Sequence, residues 1–396
     1  MEPHSQPGAN EQDKATQYLY ELAVKLVELQ GSDIFITAGS PPALKVNQEI
    51  HRVSGQKLMP QQTSLLVRSI MNDRQARDFE AHREINFSLN LPDLARFRVS
   101  AFMQRGSAGM VLRLIQQQIP TIDELNLPPL LKDIVMYKRG LVIFLGGTGC
   151  GKTTSLAAML DHRNTHCREH IVTVEDPIEF FHRHKQALVD QREVGVDTDS
   201  YEVALKNALR QAPNVILIGE VRDRDTMQSA INFAETGHLC LTTLHANTTD
   251  QAFDRIVNFF PEEKRGQILM DLSFNVRAFI SQRLLPREDQ PGVIPAVEIL
   301  INTPLMADLI FQGRVKEIKP VMARSSEQGI ITFDAALFAL YERGCISYET
   351  AIRNADSANN LRLRIKLDSQ RLPPRLAGDS ALQIQEAPRR GEGGIG

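Results

Sequence analysis

The chain has 396 residues, of which 42% are hydrophobic and 23% charged, the balance of a globular protein of two or three domains. Lys and Arg number 45 against 48 Asp and Glu, a net charge of −3, which gives no global argument for nucleic-acid binding. No apolar run is long enough to cross a bilayer, and the polar start MEPHSQPGANEQDK lacks the apolar stretch of a secretory signal, so the chain reads as cytoplasmic.

Residues 1–13 carry no periodic apolar pattern and are expected to be disordered. Ala15, Tyr18, Leu19, Leu22, Ala23, Leu26 and Val27 then recur at helical spacing, and Gly31 ends that helix. SDIFITAGSPPALKV reads as two short strands around a Gly/Pro turn, and QQTSLLVRSIMND as a second helix. The stretch EINFSLNLPDLARFRVSAFMQRGSAGMVLRLI alternates as an antiparallel sheet does, so residues 14–117 form a small α+β domain. A proline-rich linker is expected over 118–130. From 131 the rhythm becomes strand, loop, helix: LVIFL, IVTV, VILI and LCLT are apolar without alternation, as strands buried on both faces of a parallel sheet are. Beyond about residue 260 the pattern looks mostly helical, ending near 367. Residues 368–396, rich in Pro, Gly and charge, are expected to be a disordered tail without a core of its own. The four cysteines, Cys150, Cys167, Cys240 and Cys345, make no CxxC pair, which predicts reduced thiols and no zinc ribbon.

Gly146, Gly151, Lys152 and Thr153 match G-x-x-x-x-G-K-[ST], placed between an apolar strand and a helix. Such a loop, here Gly146, Gly147, Thr148, Gly149, Cys150, Gly151, Lys152, Thr153 and Thr154, curls so that backbone N–H groups face phosphates. The helix N-terminus adds partial positive charge, Lys152 reaches the terminal phosphates, and the Thr153 hydroxyl is an oxygen ligand for Mg²⁺. The ligand expected is therefore a nucleotide with Mg²⁺. Hydrolysis needs a group that orients or deprotonates water. Glu220 follows VILI at the C-terminal end of a buried strand, the edge where α/β sheets bind ligands. After IVTV come Glu175 and Asp176, read as holding Mg²⁺ or its waters, and Glu179, read as sharing the work on water. His238 precedes LCLT, where a nucleotide contact and a structural histidine are both open. His245 follows the strand, placed to touch the γ-phosphate or to couple it to a neighbouring subunit. In the first domain Arg96 and Arg98 share a strand face and Arg113 lies on the neighbouring strand, either as arginine fingers or as a solvated face.

Together these segments resemble the type IV pilus retraction ATPases, the PilT/PilU family of the secretion-ATPase superfamily. The resemblance rests on GSDIFITAGSPPALKVN, the phosphate loop GGTGCGKTTSLAAMLDHRN, the acidic HIVTVEDPIEFFHRHK with QREVG after it, ALRQAPNVILIGEVRD, and TGHLCLTTLHANTTDQAFDRIVNFFP, and it spans about residues 15–367. It implies a PAS-like first domain, a RecA-like core with a helical C-terminal part, and a homo-hexameric ring at the cytoplasmic face of the inner membrane, peripheral and not inserted. It further implies ATP bound between the domains, with Glu220, the acidic group Glu175, Asp176 and Glu179, the pair His238 and His245, and Arg96, Arg98 and Arg113 completing the site. The implied work is pilus disassembly through the inner-membrane pilus platform protein, which powers twitching motility. NFFPEEKR and LYERGCISYETAIRNADSANNLRLRIKL look like the PilU branch, and LMADLIFQGRVKEI lacks the charges of the PilT-branch helix at that place. This points to an accessory motor beside a PilT-type partner. The alternatives are a pilus-extension or type II secretion motor, disfavoured by the absent tetracysteine site, and an ATP-binding module docked on a PilT-type ring.

Overall fold

The computed structural model describes residues 9–47, 49–92, 94–115, 118–324 and 329–371. The first domain runs α1 (Ala9–Glu28), β1 (Asp33–Ile36), β2 (Ala43–Val46), β3 (Glu49–Arg52), α2 (Pro60–Ser69), α3 (Asp73–His82), β4 (Glu84–Leu91), β5 (Ala95–Gln104) and β6 (Ser107–Ile115). Its strands form one antiparallel sheet in the order β3-β2-β1-β6-β5-β4. The stripe Leu19, Leu22, Ala23 and Leu26 of α1 is buried with Ile34, Ile36, Phe97, Val99 and Leu112 of the sheet. Helix α1 begins at Ala9, so residues 9–13 are helical and not disordered. That first turn carries no apolar signal, but Glu11 complements the positive end of the helix dipole. The rest of the polar start, and the tail beyond residue 371, lie outside the described residues.

After an irregular stretch the second domain runs α4 (Leu130–Val135), β7 (Gly140–Leu145), α5 (Lys152–His166), β8 (His170–Glu175), β9 (Leu188–Glu193), α6 (Tyr201–Ala208), β10 (Val215–Ile218), α7 (Arg224–Glu235), β11 (Leu239–Leu244), α8 (Thr249–Asn258), α9 (Arg265–Asn275), β12 (Val276–Pro286) and β13 (Val293–Ile301). Five more helices follow: α10 (Pro304–Phe311), α11 (Ile318–Arg324), α12 (Phe333–Glu342), α13 (Tyr348–Asn354) and α14 (Ala358–Asp368). The sheet order is β13-β12-β7-β11-β10-β8-β9, parallel throughout except for β13. Every residue of β7, β10 and β11 is buried, which is why those segments read as apolar runs without alternation.

Three strands, a hairpin and an edge strand, depart from the expected pattern. The region beyond residue 260 is not mostly helical at first, because β12 and β13 form a hairpin that extends the sheet past β7. The apolar run of β12 is interrupted by Ser281 and Gln282, both buried, and nothing local in the sequence accounts for burying them. The other strand, β9, is an edge strand whose Asp190, Arg192 and Glu193 resemble a loop in composition. The fold class is otherwise the expected one: an α+β, PAS-like domain before an α/β, RecA-like core with a helical C-terminal part.

The C-terminal helices are tied to the sheet through Arg283 of β12. Its guanidinium donates to the Asn354 carbonyl at 2.7 Å, pairs with Asp356 at 3.2 Å and lies 4.1 Å from the centre of the Phe333 ring. On the core side, Phe279 of β12 is fully buried with its ring 4.7 Å from that of Phe253. We expect Phe279→Ala to cost about 3–5 kcal/mol, read as a lower midpoint in chemical unfolding, because the cavity between sheet and α8 has no neighbour free to fill it.

Candidate functional site

Parallel strands put the ends of β7, β11, β10 and β8 on one edge: Leu145 lies beside Leu244, Thr242 beside Ile218, and Ile218 beside Val174. Each strand is followed there by a chemical group: the phosphate loop after β7, His245 after β11, Glu220 after β10 and Asp176 after β8. The sequence order therefore becomes a spatial cluster without any long excursion of the chain.

The loop Gly146–Gly151 joins β7 to α5 with Gly151 as the residue before the helix, at φ 85°, a conformation that favours glycine. Thr148 and Gly149 form the exposed crest, Gly147, Cys150, Thr153 and Thr154 are half-buried, and Lys152 is buried. The Lys152 ammonium donates to the carbonyls of Gly146 and Gly147 at 2.8 and 2.9 Å. Helix α5 starts at Lys152, so the N–H groups of its first turn have no partner within the helix and face whatever the loop encloses. Beneath the loop lies Gln282 of β12, whose amide contacts Cys150 and Ser155. Sequence reading passed over it.

Glu220 is held at both oxygens. Arg222 Nε donates to one at 2.8 Å, and His245 Nε2 lies 3.1 Å from the other. Arg222 also reaches Asp176 at 3.4 Å, so one guanidinium bridges two acidic segments. Burial, and then the nearby Lys152 charge, hold the His245 imidazole below its usual pKa, while its Nε2 stays 3.1 Å from the Glu220 carboxylate. Gly219 is the residue that permits the strand end: a side chain there would meet the Tyr201 hydroxyl at 3.0 Å and the Glu175 backbone at 3.3 Å. That crowding explains why glycine, and not an acidic residue, precedes Glu220.

Three of the expected groups make contacts of their own away from a common cluster at the loop. Glu175 does not face the cluster as a free carboxylate. It is buried and accepts from Thr173 Oγ1 at 2.7 Å and Gln191 Nε2 at 3.3 Å. Burial pushes its carboxyl up to about 7. His238 sits at the opposite end of β11 from His245, bonded to Thr236 Oγ1 and the Phe233 carbonyl. The six residues of that strand place it about 20 Å from the loop of its own protomer. The arginines also divide. Arg98 points at the second domain and donates to the Ile178 carbonyl at 3.1 Å, two residues beyond Asp176, whereas Arg113, opposite it in register, pairs with Asp33 at 2.8 Å and stays largely exposed. The Nε atoms of Arg96 and Arg98 are buried without a partner among the described residues. Glu179 is exposed, and its charge acts on Arg98.

No group of three or more His, Cys, Asp or Glu side chains suited to a metal ion occurs among the described residues.

The chain matches the family described as type II/IV secretion system protein over residues 9–301. It belongs to that family. This secretion ATPase is 56% identical over 345 residues to the type IV pilus ATPase PilU of Pseudomonas aeruginosa, covering 87% of this chain and 90% of the relative. It is 40% identical over 329 residues to the retraction ATPase PilT of the same organism, covering 83% and 95%. The crystal structure of the pilus retraction motor PilT with bound ADP matches with TM-score 0.80 at 37% identity, over 87% of this chain and 98% of that one. The secretion ATPase is thus of the PilT/PilU type and more similar to PilU than to PilT. No helix among its described residues is long and apolar enough to cross a membrane.

The buried carboxyl of Glu175 sets a pH dependence. Its folded pKa of about 7 lies above the unfolded value of 4.5, so its contribution to stability is complete below 4.5 and is lost as pH rises through 7. Glu175→Gln, which cannot ionise, should therefore flatten the loss of thermal stability between pH 5 and 8, by about 1–3 kcal/mol at the alkaline end. Melting temperature against pH for the two proteins is the check.

Proposed function

We propose that this ATPase hydrolyses ATP in the cradle around Lys152 and spends the energy on type IV pilus retraction, as a PilU-type motor. In this reading it assembles as a homo-hexamer at the cytoplasmic face of the inner membrane, works beside a PilT-type retraction ATPase, and acts on the pilus platform protein to drive twitching motility. The observation that carries the chemistry is the Glu220 carboxylate, held on both oxygens at the same sheet edge as the phosphate loop. The relatives' names and the match to the ADP-bound PilT structure support the rest.

The residues divide the work as follows. The loop from Gly146 to Thr154 binds the phosphates through backbone N–H groups, and Lys152 exchanges its loop carbonyls for phosphate oxygens. Glu220 orients a water and takes its proton, while His245 fixes the carboxylate's orientation and is positioned to sense the γ-phosphate. Thr153 and Asp176 would hold Mg²⁺ or its waters, and the ion would supply positive charge to the phosphate oxygens. Arg98, with an Nε lacking a partner, and Arg96 are the cations of the first domain placed to meet a nucleotide held between the domains. Arg113 faces outward, which suits it to a neighbouring subunit.

Lys152→Ala should abolish nucleotide binding and turnover. Glu220→Gln should keep binding within a few-fold of wild type and lower kcat by about two orders of magnitude or more. The two are separated by titrating a fluorescent ATP analogue and measuring phosphate release on the same preparations. Phosphate release by the purified chain with and without a PilT-type partner, together with its mass in solution, tests the motor reading. A hexamer that never turns over ATP in either condition would leave only a docking role.

A further inference from the structure

We infer that Gln282, on β12, is the positioning residue that sets the phosphate loop for nucleotide. The inference deepens the reading above, since it concerns the same cradle, and it rests on that cradle binding nucleotide.

Gln282 is 3% exposed and lies far along the chain from the loop it touches. Its amide is used at both ends. Nε2 donates to the Cys150 carbonyl at 2.8 Å, and Oε1 accepts from the Ser155 hydroxyl on α5 at 2.8 Å. One side chain therefore binds the last turn of the loop and the first turn of the helix together. The contact is close enough to restrict sequence: a side chain at residue 151 would come within 2.8 Å of Gln282 Nε2, and one at residue 146 within 3.0 Å of the Gln282 carbonyl oxygen.

Peptide geometry gives this contact a functional meaning. The carbonyl of Cys150 and the N–H of Gly151 belong to one planar trans unit and point in opposite directions. Pinning that carbonyl down onto Gln282 aims the Gly151 N–H up, into the space the loop encloses. The Ser155 bond fixes the helix start, whose first-turn N–H groups supply the rest of the cradle. Lys152 cannot do this job, because its ammonium sits on the Gly146 and Gly147 carbonyls and must leave them to reach a phosphate. Gln282 lies on the sheet side of the loop and makes no demand on the ligand. It thus holds the donors in place before a phosphate arrives, and part of the ordering cost of binding is met in advance.

Neutral amide chemistry is required. Methionine preserves shape and burial but leaves the Cys150 carbonyl and the Ser155 hydroxyl without partners. Glutamate, when ionised, accepts from Ser155 but cannot donate to Cys150, and it sets negative charge beside the phosphates.

The test uses the full chain and its variants Gln282→Met, Gln282→Glu and Ser155→Ala, with ADP and ATP as probes. Binding is measured by calorimetry, turnover by phosphate release, and folding by thermal melting. Gln282→Met should weaken ADP binding and raise KM by about 10- to 100-fold, with kcat at saturation changed far less. Gln282→Glu should bind more weakly than Gln282→Met, and the gap between them should shrink at high salt. Ser155→Ala, which removes one bond and keeps Gln282, should weaken binding by several-fold, and the double variant Ser155→Ala/Gln282→Met should be no worse than Gln282→Met alone. A Gln282→Met protein that binds ADP as wild type does, whatever its melting temperature, overturns the inference. If Gln282→Met does not fold, wild-type affinity in Ser155→Ala overturns it. Wild-type chain that fails to bind ADP at all would instead sink the nucleotide reading itself.

Discussion

Six strands of the core sheet run parallel, and that one constraint gathers the second domain's candidate groups at a single edge. Parallel pairing forces all strand ends of one polarity to a single edge, and four consecutive loops there carry the phosphate cradle, His245, Glu220 and Asp176. Had any of these strands run the other way, its acidic or basic group would lie on the far edge, where His238 in fact lies. The packing serves the same end. Strands β7, β10 and β11 are buried along their whole length, so the edge they support has little freedom to shift.

Charge at that edge is balanced before any nucleotide is considered. Glu220 and Asp176 share the Arg222 guanidinium, Glu220 also holds His245, and Lys152 lies on loop carbonyls. The Arg222 side chain is more than half exposed, so its ion pairs are individually weak and screened, and they are easily exchanged for a metal–phosphate partner. Two other carboxylates, Glu175 and Glu298, are buried and pushed up to about 7, chiefly by desolvation. Both are hydrogen-bonded, Glu175 to Thr173 and Gln191 and Glu298 to Thr249.

What could be read from sequence follows the range over which each signal acts. The phosphate loop is nine consecutive residues with a fixed chemistry, and the strand before it is an uninterrupted apolar run, so Lys152 and its cradle were legible at once. Glu220 was legible because its strand ends two residues earlier. Gln282 was not, because its partners Cys150 and Ser155 are more than a hundred residues away, and a buried glutamine in a strand looks like a flaw in an apolar pattern. The same interruption hid β12 as a strand. The contacts of Glu175 and His238 were hidden for a subtler reason: being next to a strand says nothing about which edge, or which side of the backbone, the group will occupy. Arg222 was in view within GEVRD, but only the folded backbone shows that it spans to Asp176.

Consecutive residues of a β-strand face opposite ways, and on β12 this makes Gln282 and Arg283 back-to-back handles. One grips the floor of the phosphate cradle; the other grips the Asn354–Asp356 corner and the Phe333 ring at the periphery. Two adjacent side chains thus tie the floor of the loop and the outer helices to the same strand.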